Sequence, residues 1–165
     1  MPEDRPSATV VVADTTPLNY LVLLGQIELL PAFYDRIMIV PAVLQELSHS
    51  GTPGRVRSWA SKLPIWCQVQ PPTSAPDSIL NQLDAGERDS IQLALDAGFD
   101  TLLMDEIRGR QEAVRRSLRV TGILSILEAA SQLGLLDFPA TLARLENLGF
   151  RLSSRLRDTF LKRNN

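Results

Sequence analysis

The feature that most constrains the fold is a short apolar stretch near the amino terminus that ends on an acid. Residues 9–19 read Thr-Val-Val-Val-Ala-Asp-Thr-Thr-Pro-Leu-Asn. Three consecutive valines without polar alternation are typical of a parallel strand that is covered on both faces. The next residues predict a helix, with Thr16 as its cap and Pro17 in its first turn. Asp14 is therefore expected at the carboxyl end of the first strand, where open α/β sheets bind ligands.

The rest of the chain alternates apolar runs with helical patterns. Further strands are predicted at 37–40, 65–69, 101–104 and 119–121. Helices are predicted at 17–24, 27–33, 42–47, 55–63, 78–83, 85–97, 106–118, 122–133, 139–148 and 153–162. This alternation predicts an α/β fold, a three-layer α/β/α sandwich with a mainly parallel four- to five-stranded sheet. We expect one domain over residues 1–165, with a core at about 8–152 and a C-terminal helix at 153–163.

The composition excludes several kinds of site. Cys67 is the only cysteine and His49 the only histidine, so thiolate clusters and multi-histidine zinc sites are excluded. Any metal must be held by oxygen atoms. No apolar run has the length of a membrane span, and the first residues lack an export signal. A cytoplasmic protein without a membrane partner is therefore expected.

The charge is unevenly distributed along the chain. The net charge is −2, yet residues 106–165 are rich in arginine, whereas residues 1–105 hold most of the acids. A pocket of acids beside an arginine-rich flank fits a metal-using enzyme that acts on a phosphodiester. Solvated helix faces explain scattered arginines equally well.

Acidic residues follow two of the predicted strands. Asp14 and Asp105 each come directly after an apolar run, so a parallel sheet brings both to one edge. Two such carboxylates repel each other unless a cation lies between them or one takes up a proton. Glu46 and Glu87, in the first turns of their helices, are placed to join them. Four carboxylates could hold Mg²⁺ or Mn²⁺, which prefer oxygen ligands and can activate water for phosphodiester hydrolysis.

Each acid also has a purely structural interpretation. Asp14 fits an ordinary turn residue, Glu46 a solvated helix residue, and Asp105 a helix cap. The segment 84–87, Asp-Ala-Gly-Glu, fits a capping box in which Glu87 reaches back to the start of its helix.

Three further residues are candidates for supporting roles. Thr15 and Thr16 can hydrogen-bond Asp14 or a metal-bound water, and Arg110 can contact phosphate or be a plain surface charge.

The order of the four acids resembles the acidic quartet of PIN-domain nucleases, in particular the VapC-like toxin branch. The detailed likeness is to a PIN-like subfamily with an Asp-Thr-Thr/Ser-Pro-Leu start. It continues in Val40–Leu47, Leu83–Glu87, Leu102–Glu106, Gly109-Arg110, Val120–Leu127 and Gly149–Ser153. The third acid is usually Asp in VapC toxins and is Glu87 here. Asp89 lies nearby, and either of the two can be the third acid.

The resemblance implies the function of the chain and the roles of these residues. Members of the family have an α/β/α fold, cleave RNA with Mg²⁺ or Mn²⁺, frequently form homodimers and are blocked by a small antitoxin. Asp14 and Asp105 would be the principal metal ligands. Glu87 would be a ligand directly or through water, and Glu46 a ligand or a water-orienting acid.

Two other functions are considered beside the toxin ribonuclease. A PIN-like module that has lost useful turnover would bind RNA or a partner protein, although the intact quartet favours the enzyme. An aspartyl phosphotransfer domain built on Asp14 is disfavoured, because Thr16 stands where such phosphatases generally need a second Asp.

Overall fold

A parallel sheet of five strands forms the centre of the protein, and helices flank it. The computed structural model describes residues 8–164. The strands lie in the order β3-β2-β1-β4-β5, and every neighbouring pair is parallel. They are β1 (Val10–Ala13), β2 (Arg36–Ile39), β3 (Cys67–Val69), β4 (Thr101–Leu103) and β5 (Arg119–Thr121). The predicted α/β/α sandwich is therefore confirmed, with five strands in the sheet.

The helices between and after the strands follow the predicted pattern closely. They are α1 (Thr15–Leu23), α2 (Leu29–Phe33), α3 (Pro41–Ser48), α4 (Gly54–Ser61), α5 (Ala85–Ala97), α6 (Ile107–Arg115), α7 (Ile123–Gln132), α8 (Phe138–Asn147) and α9 (Ser154–Arg163). A short 3₁₀ helix, Ser78–Gln82, replaces the predicted α-helix before α5. Within residues 8–164, no helix combines the length and the apolar character needed to cross a membrane.

The start of α1 differs from the prediction. The helix begins at Thr15, and Asp14 occupies the cap position, so Thr16 is not the cap. Pro17 is compatible with this earlier start because the first four N–H groups of a helix lack intrahelical partners. The shift places the strand-ending acid directly at a helix N-terminus.

The sheet is buried on both faces, as the valine run predicts. Val11, Val12 and Ala13 have no exposed surface, and neither do Ile37 or Leu102 in the neighbouring strands. Full burial of such side chains contributes about 1.5–3 kcal/mol each for the larger ones. The strands at the centre of the sheet therefore give the acids that follow them a rigid support.

The order in which the chain adds strands to the sheet reverses between β1 and β4. From β1 the chain continues to β2 on one side, and it later returns to place β4 on the other side. The register pairs Ala13 with Leu103, and the Asp14 N–H donates to the Leu103 carbonyl at 2.9 Å. Ligands of open α/β sheets bind at this kind of switch point. The structure thus places Asp14 and Asp105 on either side of it.

Helix α6 packs closely against the end of β4 through Gly109. A Cβ atom at this residue would lie 2.5 Å from Met104 Sδ and 3.7 Å from Glu87 Cγ. Only a residue without a side chain allows this approach, since real Cβ contacts are longer. Gly109 therefore brings α6 against both the strand end and the first turn of α5.

Candidate active site

Asp14 is the most deeply buried acid of the edge. Its side chain is 3% exposed, and its Oδ1 atom has no hydrogen-bond partner among the described residues. Burial raises the pKa of Asp14 to about 8, aided by the negative charges of nearby acids and opposed by the N–H of Thr15. A buried polar atom without a partner is unfavourable. This carboxylate therefore needs either a proton or a cation.

Glu46, on α3, lies against Asp14 through the gap left by Gly86. A Cβ atom at Gly86 would lie 2.9 Å from Glu46 Oε1 and 3.2 Å from Asp14 Oδ1. The Thr15 hydroxyl donates a hydrogen bond to Oε2 of Glu46. The glycine thus lets the first turn of α5 approach both carboxylates, and Thr15 fixes the orientation of one of them.

Glu87 completes this group from the first turn of α5. Its side chain is 7% exposed, and burial raises its pKa to about 7, with the charge of Asp84 as the next cause. Asp84 caps the helix by accepting a 2.8 Å hydrogen bond from the Glu87 N–H. The cap of the predicted box is thus present, and Glu87 also contributes to the raised pKa of Asp14.

Asp105 lies in a different environment. Its carboxylate accepts a hydrogen bond from the N–H of Ile123 at 3.2 Å, at the start of α7. Burial raises the pKa of Asp105 to about 6, and this N–H and the charge of Arg110 oppose the rise. A Cβ atom at Gly122 would lie 2.7 Å from Asp105 Oδ1 and 2.9 Å from Arg110 Nη1. Asp105 therefore has a backbone donor and a cation beside it.

The structure separates the two candidates for the third acid. Glu87 faces Asp14, whereas Asp89 forms an ion pair with Arg88 at 2.9 Å. Side chains two residues apart on a helix point in different directions. Glu87 is thus the acid placed at the edge, and its role as a ligand remains a prediction.

The donor set suits a divalent cation that keeps part of its water shell. Among residues 8–164, no three acid, histidine or cysteine side chains are spaced to coordinate one ion directly. Mg²⁺ usually binds through one or two carboxylates and retains several waters. The oxygen ligands, the unpartnered Oδ1 of Asp14 and the raised pKa values fit such an ion. Asp14, Glu46, Glu87 and Asp105 are the residues that would hold it, directly or through water.

Sequence reasoning missed three residues that shape this edge. The sequence of the segment 84–87 predicts Asp84 only as a helix cap, yet the charge of Asp84 raises the pKa of both Asp14 and Glu87. Gly86 leaves room for the carboxylates of Asp14 and Glu46, and Gly122 leaves room for Asp105 and Arg110. The Asp-Ala-Gly-Glu segment carried a signal for Asp84 and Gly86, whereas nothing local in the sequence indicates the contact of Gly122.

Comparison with known proteins supports the same family. A sequence model of the PIN domain matches residues 10–165, which is nearly the whole chain. A search of curated proteins finds no match. PIN domains are generally nucleases, so a nuclease-type function follows in general terms. The VapC-like branch stays a prediction. The chain belongs to the PIN domain family.

Proposed function

We propose that this protein is a Mg²⁺- or Mn²⁺-dependent endoribonuclease and the toxin of a toxin–antitoxin pair. The observation that carries the proposal is the buried, unpartnered Oδ1 of Asp14 next to two further acids. Uncompensated charge of this kind is typical of functional sites and costly in a purely structural one.

Each acid has a defined part in this proposal. Asp14, Glu46 and Glu87 would hold the cation, directly or through water, at the β1 side of the edge, and Asp105 would contribute from the β4 side. When bound, a divalent cation neutralises negative charge at the phosphate and lowers the pKa of a water molecule. Thr15 keeps Glu46 oriented, and the Ile123 N–H keeps Asp105 oriented. Rigid positioning of this kind is what a charged transition state requires.

The proposal also covers the partners of the protein. The substrate is RNA, and a small antitoxin protein blocks the acidic edge in the resting state. The protein acts as a homodimer. These parts are supported by the likeness of the sequence motifs to the VapC-like toxins.

The test is cleavage of an end-labelled RNA by the purified chain. We expect cleavage with Mn²⁺ or Mg²⁺, none with EDTA, and none from Asp14→Asn in the presence of metal. Asp158→Asn, at an exposed position on α9, is the matched control and should cleave normally. Cleavage that survives EDTA or the Asp14 substitution would overturn the proposal.

A second candidate function is a PIN-like module that binds RNA or a partner protein without turnover. Metal-independent RNA binding without cleavage would support this module. Cleavage that depends on Mn²⁺ would exclude it.

A further inference from the structure

A deep cleft adjoins the acids on the side of Asp105. Its volume is about 930 Å³, and it lies between α1, α6, α7 and the segment 149–153 that leads into α9. Thr15 and Asp105 are both part of its wall, so it opens directly onto the acidic edge. The volume is within the range of small-molecule and cofactor sites. An RNA strand with one phosphate at the acids can therefore continue into this cleft.

Arg110 presents an available cation to the cleft. Its Nη1 donates a 2.8 Å hydrogen bond to the carbonyl of Met104, which fixes the guanidinium at the end of β4. Among residues 8–164, this is the one hydrogen bond of its side chain, and it forms no ion pair. A guanidinium has five N–H donors in a planar fork that matches phosphate. Most of these donors remain available to a ligand.

Four other arginines of the C-terminal part are engaged in ion pairs. Arg115 and Arg116 pair with Glu112, Arg157 pairs with Glu146, and Arg163 pairs with Glu128. Among residues 8–164, other cations of this flank form no ion pair, and one of them, Arg151, also lines the cleft. Arg110 differs because it lies across Gly122 from Asp105 without pairing to it.

Phe150 forms an aromatic wall of the same cleft. Its ring packs at 90° against Tyr20, with 5.3 Å between the ring centroids, and it remains partly exposed. The turn before it requires glycine, since Gly149 has φ +101°. A ring held in this way is a suitable surface for an unpaired base.

We propose that this cleft holds the nucleotide that adjoins the scissile phosphate, with Arg110 on its phosphate and Phe150 under its base. The inference rests on the proposed ribonuclease function. A cation and an aromatic ring in one cleft match the two recognisable parts of a nucleotide. The base must be unpaired to stack, so the cleft selects single-stranded RNA at this position.

The first experiment measures kinetics on a short RNA with one cleavage site. Arg110→Met and Phe150→Ala should each lower kcat/KM about tenfold, which corresponds to the loss of one phosphate contact or one stacked base. Arg108→Met is the matched control, because Arg108 is exposed on the same helix and lies outside the cleft. Phe150→Leu keeps the apolar bulk and replaces Phe150→Ala if that variant unfolds.

Modified substrates separate contact from mere support of the fold. An uncharged methylphosphonate at the adjoining linkage should lower wild-type kcat/KM about tenfold and have little further effect on Arg110→Met. An abasic residue at the adjoining position should have little further effect on Phe150→Ala but should still impair Arg110→Met. A penalty equal in wild type and variants would overturn the inference.

Binding measurements keep this inference separate from the proposed function. If the wild-type protein fails to cleave RNA, fluorescence anisotropy with the same oligonucleotides and no metal tests the cleft directly. Weaker binding by Arg110→Met and Phe150→Ala, but not by Arg108→Met, would then support the cleft while the nuclease proposal fails. If the cleft instead receives a helix of a partner protein, every RNA measurement stays at its wild-type value. That result overturns the inference.

Discussion

The two ends of the acidic edge compensate their negative charge in different ways. Burial raises the pKa of Asp105 only to about 6, because the Ile123 N–H and the Arg110 guanidinium beside it oppose the rise. Burial, aided by the charges of neighbouring acids, raises the pKa of Asp14 to about 8. The protein thus supplies a cation of its own at the Asp105 end, whereas the Asp14 end depends on a proton or an added cation.

The largest effect is expected from removing the charge of the Asp14 end. Asp14→Asn should lower Mn²⁺-dependent RNA cleavage at least about 100-fold, because a cation supplies several kcal/mol of charge stabilisation. Asp105→Asn should weaken Mn²⁺ binding less than Asp14→Asn, since Asp105 already has a donor and a neighbouring cation. Titration calorimetry with Mn²⁺ checks this order, and the reverse order would break the comparison.

The same substitution is expected to stabilise the metal-free protein. The pKa of Asp14 is raised from 3.8 to about 8, so between these values the folded state holds a proton that the unfolded chain has released. Stability contributed by the protonated form is therefore lost as pH rises towards about 8.

Asp14→Asn removes this loss and should raise Tm by about 5 °C at pH ~8.5 in EDTA. Thermal unfolding monitored by circular dichroism, with Asp158→Asn as the control, measures the effect. A lower Tm for Asp14→Asn would show that the acid stabilises the fold, contrary to the comparison.

Metal affinity should depend steeply on pH. Protons compete with the cation at Asp14 and Glu87, whose pKa values are about 8 and about 7. We expect Mn²⁺ affinity to rise about 50-fold between pH ~6 and pH ~7, where both groups lose a proton, and about tenfold between pH ~7 and pH ~8. The shift of Tm with added Mn²⁺ measures this, and an affinity that is flat across the range would place the ion at the Asp105 end alone.

A smaller effect is expected at Gly86. In Gly86→Ala the new Cβ atom would lie 2.9 Å from Glu46 Oε1, so the carboxylates must move apart. We expect cleavage to fall about fivefold, with at most about 1 kcal/mol of change in folding free energy, because alanine is the better helix former. Gly54→Ala, at the start of α4, is the control, since its Cβ atom would meet Arg57 Nη2 only at 3.8 Å. Equal activity of the two variants would contradict the prediction.

The smallest effect is expected at Thr15. Its hydroxyl orients Glu46 without carrying charge. Thr15→Val should lower cleavage about threefold, as expected for the loss of one weak hydrogen bond of about 0.7 kcal/mol. Thr15→Ser keeps the hydroxyl and should recover most of the activity, so a serine variant as weak as the valine variant would argue against this role.

Periodicity predicts most of the fold and part of the edge. The predicted bounds of α5 and β5 agree with the structure. Gly98 ends α5 at φ +71°, and β5 continues the alternation of helices and strands along the chain. The strand-ending acids were expected at one edge, and the parallel pairing of β1 with β4 places them there. Local sequence patterns are sufficient for these features, because the positions of helices and strands depend mainly on the spacing of apolar residues.

Contacts between distant segments could not be predicted from such patterns. The hydrogen bond from the Ile123 N–H to Asp105 depends on how β5 and α7 pack beside β4. The pairing of Arg157 with Glu146 depends on how α9 lies against α8. Sequence therefore indicates which residues are charged, whereas tertiary packing decides which of those charges remain available.

Gly109 is a position at which a substitution can change the Arg110 side of the cleft. Any larger residue there would bring a Cβ atom within 2.5 Å of Met104 Sδ, so either Met104 or the helix that carries Arg110 must shift. Asp14 and Glu46 are carried by other elements and would keep their places. A graded series from alanine to valine at this position would therefore act on Met104, Arg110 and the nearby Glu87 while leaving Asp14 and Glu46 in place.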